Sequence, residues 1–382
     1  MDKHYDYIIT GAGCAGLSLL MRLLQEPNLN KKNILVIDQS HKKENDRTWC
    51  FWEKENDLFQ GIVEHNWSRV NFYSNTFSAE LDLHPYQYKM IKGIDFYNYV
   101  FEFAQQFSNV VFRFEKVIAI KTENDKAIVV LEFEHLTADY IFNSILFDKP
   151  LLKKHEYYLL QHFKGWVIET EQPCFDPSMA TFMDFRVSQQ YGTTFMYVMP
   201  TSTTKALVEY TLFTEKILQQ AEYEIALKEY ISTTLHINNY TIEQEEFGII
   251  PMTNYQFPLQ NGRMINIGIA GGQAKGSSGY AFKFIQKRTK ELVELLVNNQ
   301  PPVVKKSLLN KKFHLYDSVL LHVLHHKKME GSEIFAQIFK KNKPETVLNF
   351  LDNESSLADD LKIMGSVPSG IFLTAAFKEM FR

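Results

Sequence analysis

The pattern of apolar and polar positions predicts a strand, a helix and a second strand in the first forty residues. Tyr7–Thr10 is a short apolar run, and leucines then recur at helical spacing over residues 17–24. Pro27 and the polar residues after it end this helix, and Ile34–Ile37 is a second apolar run that ends at Asp38. Two short buried strands joined by a helix are typical of a βαβ unit with parallel strands.

Farther along the chain, the pattern predicts a second, antiparallel sheet and a helical C-terminal region. Helices are predicted over Asp95–Phe107, Glu215–Leu235 and Tyr280–Val297, and again beyond Pro301–Pro302. The strands of the second sheet are predicted at Phe163–Glu169, Thr181–Arg186, Thr194–Val198 and Ala206–Phe213. Further strands are predicted at Val110–Phe114, Val117–Lys121, Ala127–Glu134, Gly248–Met252 and Met264–Ile269, with a hairpin turn at Glu123–Asp125.

Composition and charge exclude several classes of protein. The formal net charge of −4 argues against a nucleic-acid partner. The three cysteines form no CxxC pair, so neither a disulfide framework nor a zinc site is predicted. Met1–His4 does not open a signal peptide, and no uncharged apolar run approaches the length of a membrane-spanning helix. We therefore expect a cytoplasmic protein, soluble or bound to the membrane surface, whose 30 Phe and 19 Tyr suit either a large core or a long apolar pocket.

The first glycine cluster predicts a dinucleotide site. Gly11, Gly13 and Gly16 follow the first strand and open the helix, and Asp38 ends the second strand. In such a unit the first glycine allows a tight turn, the second lets the backbone approach a pyrophosphate, and the third lets the helix pack on the strand. Asp38 would accept a hydrogen bond from a ribose hydroxyl, which favours FAD or NAD over NADP, and the number of strands before the second sheet favours FAD. A glycine-rich turn without a ligand is the alternative.

A second glycine cluster lies far down the chain. Gly268, Gly271 and Gly272 stand between a predicted strand and a predicted helix, so we expect them to place backbone N–H groups near the other end of the same cofactor. A tight packing turn is the alternative. Flavin hydroxylases usually carry a Gly-Asp pair at this point, where this chain has Ala270-Gly271-Gly272.

Several segments together resemble the bacterial lycopene β-cyclases. In the order of that family they are Asp46–Glu53 (DRTWCFWE), Gln161–Trp166, Phe182–Arg186, Phe195–Pro200, Glu246–Met252 and Gly271–Phe282. The resemblance implies an α/β fold of the flavin-hydroxylase (glutathione-reductase-like) type. Its Rossmann-like FAD-binding domain would comprise residues 1–70, 90–160 and 260–300, its mixed-sheet substrate domain residues 71–89 and 161–259, and its helical C-terminal region residues 301–382.

The resemblance also implies a reaction. In this family the acyclic ends of lycopene close to β-ionone rings, giving β-carotene by way of γ-carotene, in a redox-neutral isomerisation that needs reduced FAD, with NADPH as the usual reductant. An FAD-dependent monooxygenase or prenyl-chain reductase acting on an apolar isoprenoid is the alternative, and a flavoprotein that only binds a carotenoid is a third.

Glu209 is the predicted catalytic acid. It lies in the apolar strand Ala206–Phe213, and alternation places it on the apolar face with Leu207 and Thr211. Burial raises the pKa of a carboxyl group and keeps it protonated at neutral pH, as protonation of an alkene requires. The family's acidic segment also matches here, although Tyr210 replaces its second acid, which argues against a paired-carboxylate mechanism at this point. A structural or ion-paired glutamate is the alternative.

Other residues are assigned around this acid and the cofactor. Arg47 is predicted to hold the FAD phosphates. The predicted substrate pocket, which would support a carbocation through its aromatic faces, comprises Trp49, Phe51, Trp52, Asp184 and Tyr197. A structural ion pair between Asp184 and Arg186 is the alternative for that aspartate.

The C-terminal region is predicted to bind the membrane surface, because lycopene is a hydrocarbon of the bilayer. Lysines cluster there, at positions 305, 306, 311, 312, 327, 328, 340, 341 and 343. Between them, apolar residues recur at helical spacing: Phe313, Leu315, Val319, Leu320, Val323 and Leu324. A solvated basic face is the alternative.

Overall fold

A computed structural model describes residues 4–123, 126–304 and 308–381. Its strands, in chain order, are β1 (His4–Thr10), β2 (Ile34–Asp38), β3 (Thr48–Glu53), β4 (His65–Trp67), β5 (Arg69–Tyr73), β6 (Ser78–Asp82), β7 (Gln87–Lys92), β8 (Val110–Phe114), β9 (Ala119–Glu123), β10 (Lys126–Val130), β11 (His135–Asn143), β12 (Tyr158–Glu169), β13 (Met179–Asp184), β14 (Thr193–Pro200), β15 (Lys205–Thr214), β16 (Thr241–Thr253), β17 (Gln260–Asn261) and β18 (Met264–Asn266).

The helices follow the same order. They are α1 (Cys14–Gln25), α2 (Gly93–Ala104), α3 (Gln220–Thr233), α4 (Phe282–Val297), α5 (Leu308–His325), α6 (Gly331–Lys341), α7 (Pro344–Leu351), α8 (Leu357–Met364) and α9 (Ser369–Met380), with short 3₁₀ turns at Gln60–Ile62 and Gly268–Gly271.

The first sheet is built around the predicted βαβ unit. Its main strands lie in the order β17-β18-β11-β1-β2-β8, and β1 pairs in parallel with both β2 and β11. The middle of β1 is fully buried, which explains the continuous apolar run at Ile8–Ile9, because parallel strands are covered on both faces. Leucines of α1 pack against α2 and α4 on one face of this sheet. The carboxyl ends of β1, β11 and β18 therefore meet at one edge.

The second sheet carries the predicted substrate-side strands. Its order is β16-β12-β15-β14-β13-β5-β6, antiparallel except for the parallel pair β13 and β5. One face packs on α3 through residues such as Trp166 and Val208, and the other packs on α6 and α7 through residues such as Phe195 and Leu207. Neighbouring residues of β15 therefore face different helices. A small third sheet, β3-β7-β4, lies beside these two.

Several predicted boundaries and elements are corrected by the structure. The strand predicted at Gly248–Met252 is part of the longer β16, which pairs with β12 along its whole length. The strand predicted at Met264–Ile269 ends at Asn266, and a 3₁₀ turn follows it. The prediction missed β11 because His135, Thr137 and Asp139 interrupt its apolar pattern. Asn124 and Asp125 of the predicted hairpin turn lie outside the described residues.

The apolar residues of α5 that were predicted to face the membrane are packed within the protein. Phe313, Val319 and Val323 are buried, and Leu315, Leu320 and Leu324 are partly buried. Residues of α6 and α9 share the core that covers this face of α5. Lys305 and Lys306 of the predicted lysine cluster lie outside the described residues. Within the described ranges, no helix is both long enough and apolar enough to cross a membrane.

Exposed apolar side chains lie instead on the last two helices. Leu357 and Leu361 of α8 are 68% and 70% exposed, and Leu373 and Phe377 of α9 are 68% and 65% exposed. Each pair is spaced by four residues, so each helix presents an apolar stripe to the surroundings.

Candidate active site

The first glycine turn forms a cradle at the start of α1. Gly11 has φ +99°, which favours glycine, and its N–H donates to the carbonyl of Ile37 at 2.7 Å. A Cβ at Gly16 would collide with the carbonyl oxygen of Gly11, whereas a Cβ at Gly13 would meet no heavy atom of the described residues within 4 Å. The backbone is thus open at Gly13, where the N-terminal N–H groups of α1 begin. This arrangement fits a bound pyrophosphate.

Asp38 lies at the mouth of this cradle, at the end of β2. Its two carboxylate oxygens accept hydrogen bonds from the backbone N–H groups of Ala12 and Ser40, both at 2.7 Å. A carboxylate has about four acceptor sites, so Asp38 keeps acceptor capacity for a ribose hydroxyl.

The second glycine turn lies against the first. A Cβ at Gly268 would lie 2.9 Å from the Cβ of Ala15 in α1, and Gly268 and Gly272 both have positive φ. Hydrogen bonds of 2.9 Å join Thr10, Asn143 and Asn266 in a row across the ends of β1, β11 and β18. Both turns therefore emerge from the same edge of the first sheet. The second turn opens a 3₁₀ turn and not α4, which begins at Phe282.

Arg47 lies between the cradle and the second sheet. Its guanidinium donates to Asp46 Oδ2 at 2.8 and 3.2 Å, and it lies near Cys14, the first residue of α1. It also interacts electrostatically with Glu246 of β16. Its position is compatible with an anionic group bound at the N-terminus of α1.

Glu209 is buried, as its strand pattern predicts. Glu209 is 8% exposed. It lies on β15 between Leu207 and Thr211, on the face that packs against α6 and α7. Thr211 Oγ1 donates to Glu209 Oε1 at 2.7 Å.

A second buried carboxyl group, on Glu246, lies beside Glu209. In the strand register, Gly165 of β12 pairs with Glu209 on one side and with Glu246 on the other. Residues directly opposite in an antiparallel sheet point to the same face, so both side chains lean over the residue that has none. The two carboxyl groups are hydrogen-bonded to each other.

The surroundings of the pair favour one shared proton. Burial raises the pKa of Glu209 well above its ordinary value, and the negative charge of Glu246 raises it further. Burial also raises the pKa of Glu246, while hydrogen bonds from Thr48 and Glu209 and the charge of Arg47 lower it. Thr48 Oγ1 donates to Glu246 Oε2 at 2.7 Å. Glu209 is therefore the group that holds the proton, and Glu246 is the carboxylate.

Tyrosines surround the pair on its apolar side; we call Tyr88, Tyr197 and Tyr280 the tyrosine cluster. Tyr197 pairs with Glu209 in the strand register, and its hydroxyl is hydrogen-bonded to that of Tyr280 at 3.1 Å. Burial raises the pKa of each of these three phenols, so they stay neutral beside the carboxyl pair. The ring of Trp52 meets that of Tyr280 edge-on, with centroids 4.5 Å apart. A small apolar cavity lined by Trp52 and Tyr88 adjoins the cluster.

The structure separates the aromatic residues that were predicted to line one pocket. Trp52 packs in the same core as Tyr197, but Trp49 and Phe51 point to the other side of β3 and pack in the core of the first sheet, against Phe282. Alternation along a strand explains this separation.

Asp184 lies on the opposite face of the second sheet from Glu209. It is fully buried, and it accepts hydrogen bonds from the guanidinium of Arg186 at 2.7 and 2.9 Å and from the Tyr230 hydroxyl of α3 at 2.8 Å. The structural ion pair with Arg186 is therefore formed, and Asp184 does not line a pocket with Glu209.

Sequence reasoning missed Glu246, Thr48 and Gly165. Each lies in a segment that the resemblance had marked. The register of β12 with β15 and β16 brings Gly165 and Glu246 to Glu209, and Thr48 of β3 joins them through its hydrogen bond to Glu246. Glu246 follows Glu245 among polar residues, a pattern that predicts an exposed side chain. The glycine at the centre of β12 was the available signal, because a glycine inside a strand indicates that other groups approach closely there. Within the described ranges, no group of three or more side chains is arranged to hold a metal ion.

Comparison with known proteins gives one family and one fold. A family model described as lycopene cyclase protein matches residues 6–376, and a search of curated proteins gives no significant match.

Three of the solved structures that match have low sequence identity to this chain. A geranylgeranyl bacteriochlorophyll reductase-like protein from Thermoplasma acidophilum is 11% identical, with a TM-score of 0.62 over 98% of this chain and 99% of that one. A flavoprotein/dehydrogenase from Cytophaga hutchinsonii is 11% identical, with a TM-score of 0.64 over 99% of each chain. HpxO from Klebsiella pneumoniae, crystallised with FAD as a variant, is 12% identical, with a TM-score of 0.62 over 92% of this chain and 98% of that one. The predicted fold class, a Rossmann-like flavoprotein fold with a mixed second sheet and a helical C-terminal region, is confirmed.

Proposed function

Because the chain belongs to the lycopene cyclase family, we propose that it closes the acyclic ends of lycopene to β-ionone rings. γ-Carotene is then the one-ring intermediate and β-carotene the product, and no net oxidation occurs. The observation that carries the proposal is the buried, hydrogen-bonded pair of Glu209 and Glu246 on the apolar side of the second sheet. A pair that retains one proton in an apolar setting suits the protonation of a hydrocarbon.

Glu209 is the proposed acid. An alkene is a poor base, so its protonation needs an undissociated acid that water does not reach. Burial and the adjacent Glu246 hold the pKa of Glu209 well above its ordinary value, which keeps the proton in place at neutral pH. Thr211 donates to Glu209 Oε1 and so leaves the other oxygen to carry the proton.

The tyrosine cluster is the proposed support for the positive charge that follows protonation. The rings of Tyr88 and Tyr197 are buried and that of Tyr280 is partly buried, and all three are neutral and close to Glu209. The face of an aromatic ring attracts a cation by about 0.5 to 2 kcal/mol, with the larger values in desolvated sites. Trp52 and the small apolar cavity beside it extend the same surface.

We propose FAD as the cofactor, with NADPH as its reductant. The open backbone at Gly13 and the N-terminus of α1 would hold the pyrophosphate, Asp38 the ribose, and Gly268, Gly271 and Gly272 the opposite end. Arg47, between α1 and Glu246, would contact the phosphates or the flavin. When bound, the reduced cofactor would supply negative charge that stabilises a carbocation.

We also propose that the protein docks on the cytoplasmic membrane surface, because the proposed substrate is a bilayer hydrocarbon. The apolar stripes of α8 and α9 support this docking, and the exposed Lys378 beside the stripe of α9 suits anionic headgroups.

Anaerobic turnover of lycopene tests the proposal against the rival reactions of this fold. We expect the purified FAD-bound protein to form several molecules of β-carotene per molecule of NADPH supplied. A monooxygenase would need oxygen, and a prenyl-chain reductase would consume one NADPH per product. NADPH consumption that matches product formation would refute the proposed isomerisation, and β-carotene would be absent if the protein only binds a carotenoid.

A further inference from the structure

We propose that Glu246 is the base of the reaction, which takes the proton from the newly formed ring and returns it to Glu209. This inference rests on the proposed function and goes beyond it, because that function assigns the acid but not the base. It stands on the position of Glu246 across Gly165 and on the hydrogen bond that Thr48 donates to it.

The two carboxyl groups point into the same space. Glu209, Gly165 and Glu246 form one row across β15, β12 and β16, and a Cβ at Gly165 would lie 3.0 Å from Glu246 Cγ. The glycine therefore leaves the gap through which the two carboxyl groups make their hydrogen bond. Both groups are on the sheet face that packs with Leu207 and the tyrosine cluster.

The chemistry of ring closure suits two adjacent carboxyl groups. The proton of Glu209 adds to the less substituted carbon of the terminal alkene and leaves a tertiary cation on its neighbour. The π electrons of the second alkene then form the ring bond to that cation and leave a second tertiary cation on the other carbon of this alkene. The ring carbon at this new bond finally loses a proton, and its C–H electrons form the ring double bond. The carbon that gains a proton and the carbon that loses one are both bonded to the former cation centre, so neighbouring carboxyl groups reach both.

The cycle closes within the pair. Glu246, deprotonated at the start, accepts the ring proton, and Glu209, deprotonated after the first step, recovers it through their hydrogen bond. One proton enters the substrate and one leaves it, so atoms and electrons balance without an oxidant or reductant.

The contacts of Glu246 favour its role as the carboxylate. Thr48 donates to Glu246 Oε2 and Thr211 donates to Glu209 Oε1, both at 2.7 Å, so these two bonds do not distinguish the groups. The positive charge of Arg47 lowers the pKa of Glu246, whereas the negative charge of Glu246 raises the pKa of Glu209.

The test compares the pH dependence of kcat in matched variants of the FAD-bound protein. Wild type, Glu246→Gln, Glu246→Asp and Glu245→Gln would be assayed on lycopene in vesicles with the flavin reduced, from about pH 5 to about pH 9. Glu245 is the control, because its side chain is 54% exposed and pairs with Lys164 at 2.9 Å. Flavin absorbance and thermal unfolding report whether each variant is folded.

We expect Glu246→Gln to lower kcat about 100-fold or more, the usual contribution of a general base. In wild type, kcat should fall at low pH as Glu246 takes up a proton, and at high pH as Glu209 loses its own. Glu246→Gln should lose the decline of kcat at low pH, and Glu246→Asp should restore that decline in part. Glu245→Gln should have the kcat and pH profile of wild type.

Two results separate the assignment from the proposed function. An active wild type with an unchanged kcat and pH profile in Glu246→Gln would overturn the role of Glu246 alone, whereas a wild type that forms no cyclic carotenoid would contradict the proposed function. If Glu246→Gln does not fold, the pH profile of Thr48→Val tests the assignment instead. Loss of the hydrogen bond from Thr48 raises the pKa of Glu246, so the decline of kcat at low pH should move to higher pH. An unmoved decline in Thr48→Val would overturn the assignment.

Discussion

Gly165 determines how closely the two carboxyl groups approach each other. A Cβ at this position would lie 3.0 Å from both Glu246 Cγ and Leu207 Cδ1, closer than ordinary van der Waals contact. We expect Gly165→Ala to push Glu246 away from Glu209, lower the cyclisation rate at least tenfold and reduce the free energy of unfolding by about 1 to 3 kcal/mol through overpacking. Carotenoid analysis and chemical denaturation would measure the two effects.

A second glycine serves as the control for this substitution. A Cβ at Gly61 meets no heavy atom of the described residues within 4 Å, so Gly61→Ala should leave both activity and stability near wild type. Full activity in Gly165→Ala would show that the carboxyl groups do not need to meet over this residue.

The burial of Glu209 was predictable from its own strand, whereas its partner was not. Alternation within Ala206–Phe213 places Glu209 on the apolar face, and the structure confirms that burial. Glu246 lies in a strand whose polar residues suggest exposure. It reaches Glu209 because β12 lies between β15 and β16 and has Gly165, which carries no side chain, opposite both glutamates. Strand order and register depend on contacts between distant parts of the chain, which a local pattern does not contain.

At the scale of elements, α9 carries the proposed contact with the membrane. Leu373 and Phe377 are 68% and 65% exposed on one face of this helix. Burial of one such side chain contributes about 1.5 to 3 kcal/mol, so the double substitution Leu373→Ser and Phe377→Ser should reduce binding to anionic vesicles at least tenfold. Flotation of the FAD-bound protein with phosphatidylglycerol vesicles would measure it.

Phe133 provides the matched control for α9. It is 92% exposed in the turn between β10 and β11, far in sequence from the C-terminal helices. Phe133→Ser should float with vesicles as wild type does. Equal flotation of the α9 double variant and wild type would place the membrane contact elsewhere.

The helical C-terminal region illustrates what a periodic pattern leaves open. The apolar spacing of α5 predicted a helix, and the helix is present, but the pattern did not distinguish a face covered by protein from a face covered by lipid. The face of α5 is covered by α6 and α9, and the exposed stripes lie on α8 and α9. The first βαβ unit was predictable because its strands, helix and glycines are contiguous in the chain.

At the scale of the whole molecule, the dinucleotide cradle and the carboxyl pair lie on two sheets that meet at the Asp46–Glu53 segment. Arg47 lies near Cys14 at the start of α1 and interacts electrostatically with Glu246 in β16, and its neighbour Thr48 donates to Glu246. The division of the chain into discontinuous domains stays a prediction, but this segment explains how a cofactor on the first sheet would act on chemistry at the second.

Pigment analysis in a lycopene-accumulating host is the most direct test of cyclisation by this protein. We expect the wild-type protein to convert lycopene to β-carotene with some γ-carotene. Glu209→Gln should leave lycopene unconverted, a loss of about 100-fold or more, while the purified variant still binds FAD. Lycopene left unchanged by the wild-type protein, or cyclised as well by Glu209→Gln as by wild type, would contradict these expectations.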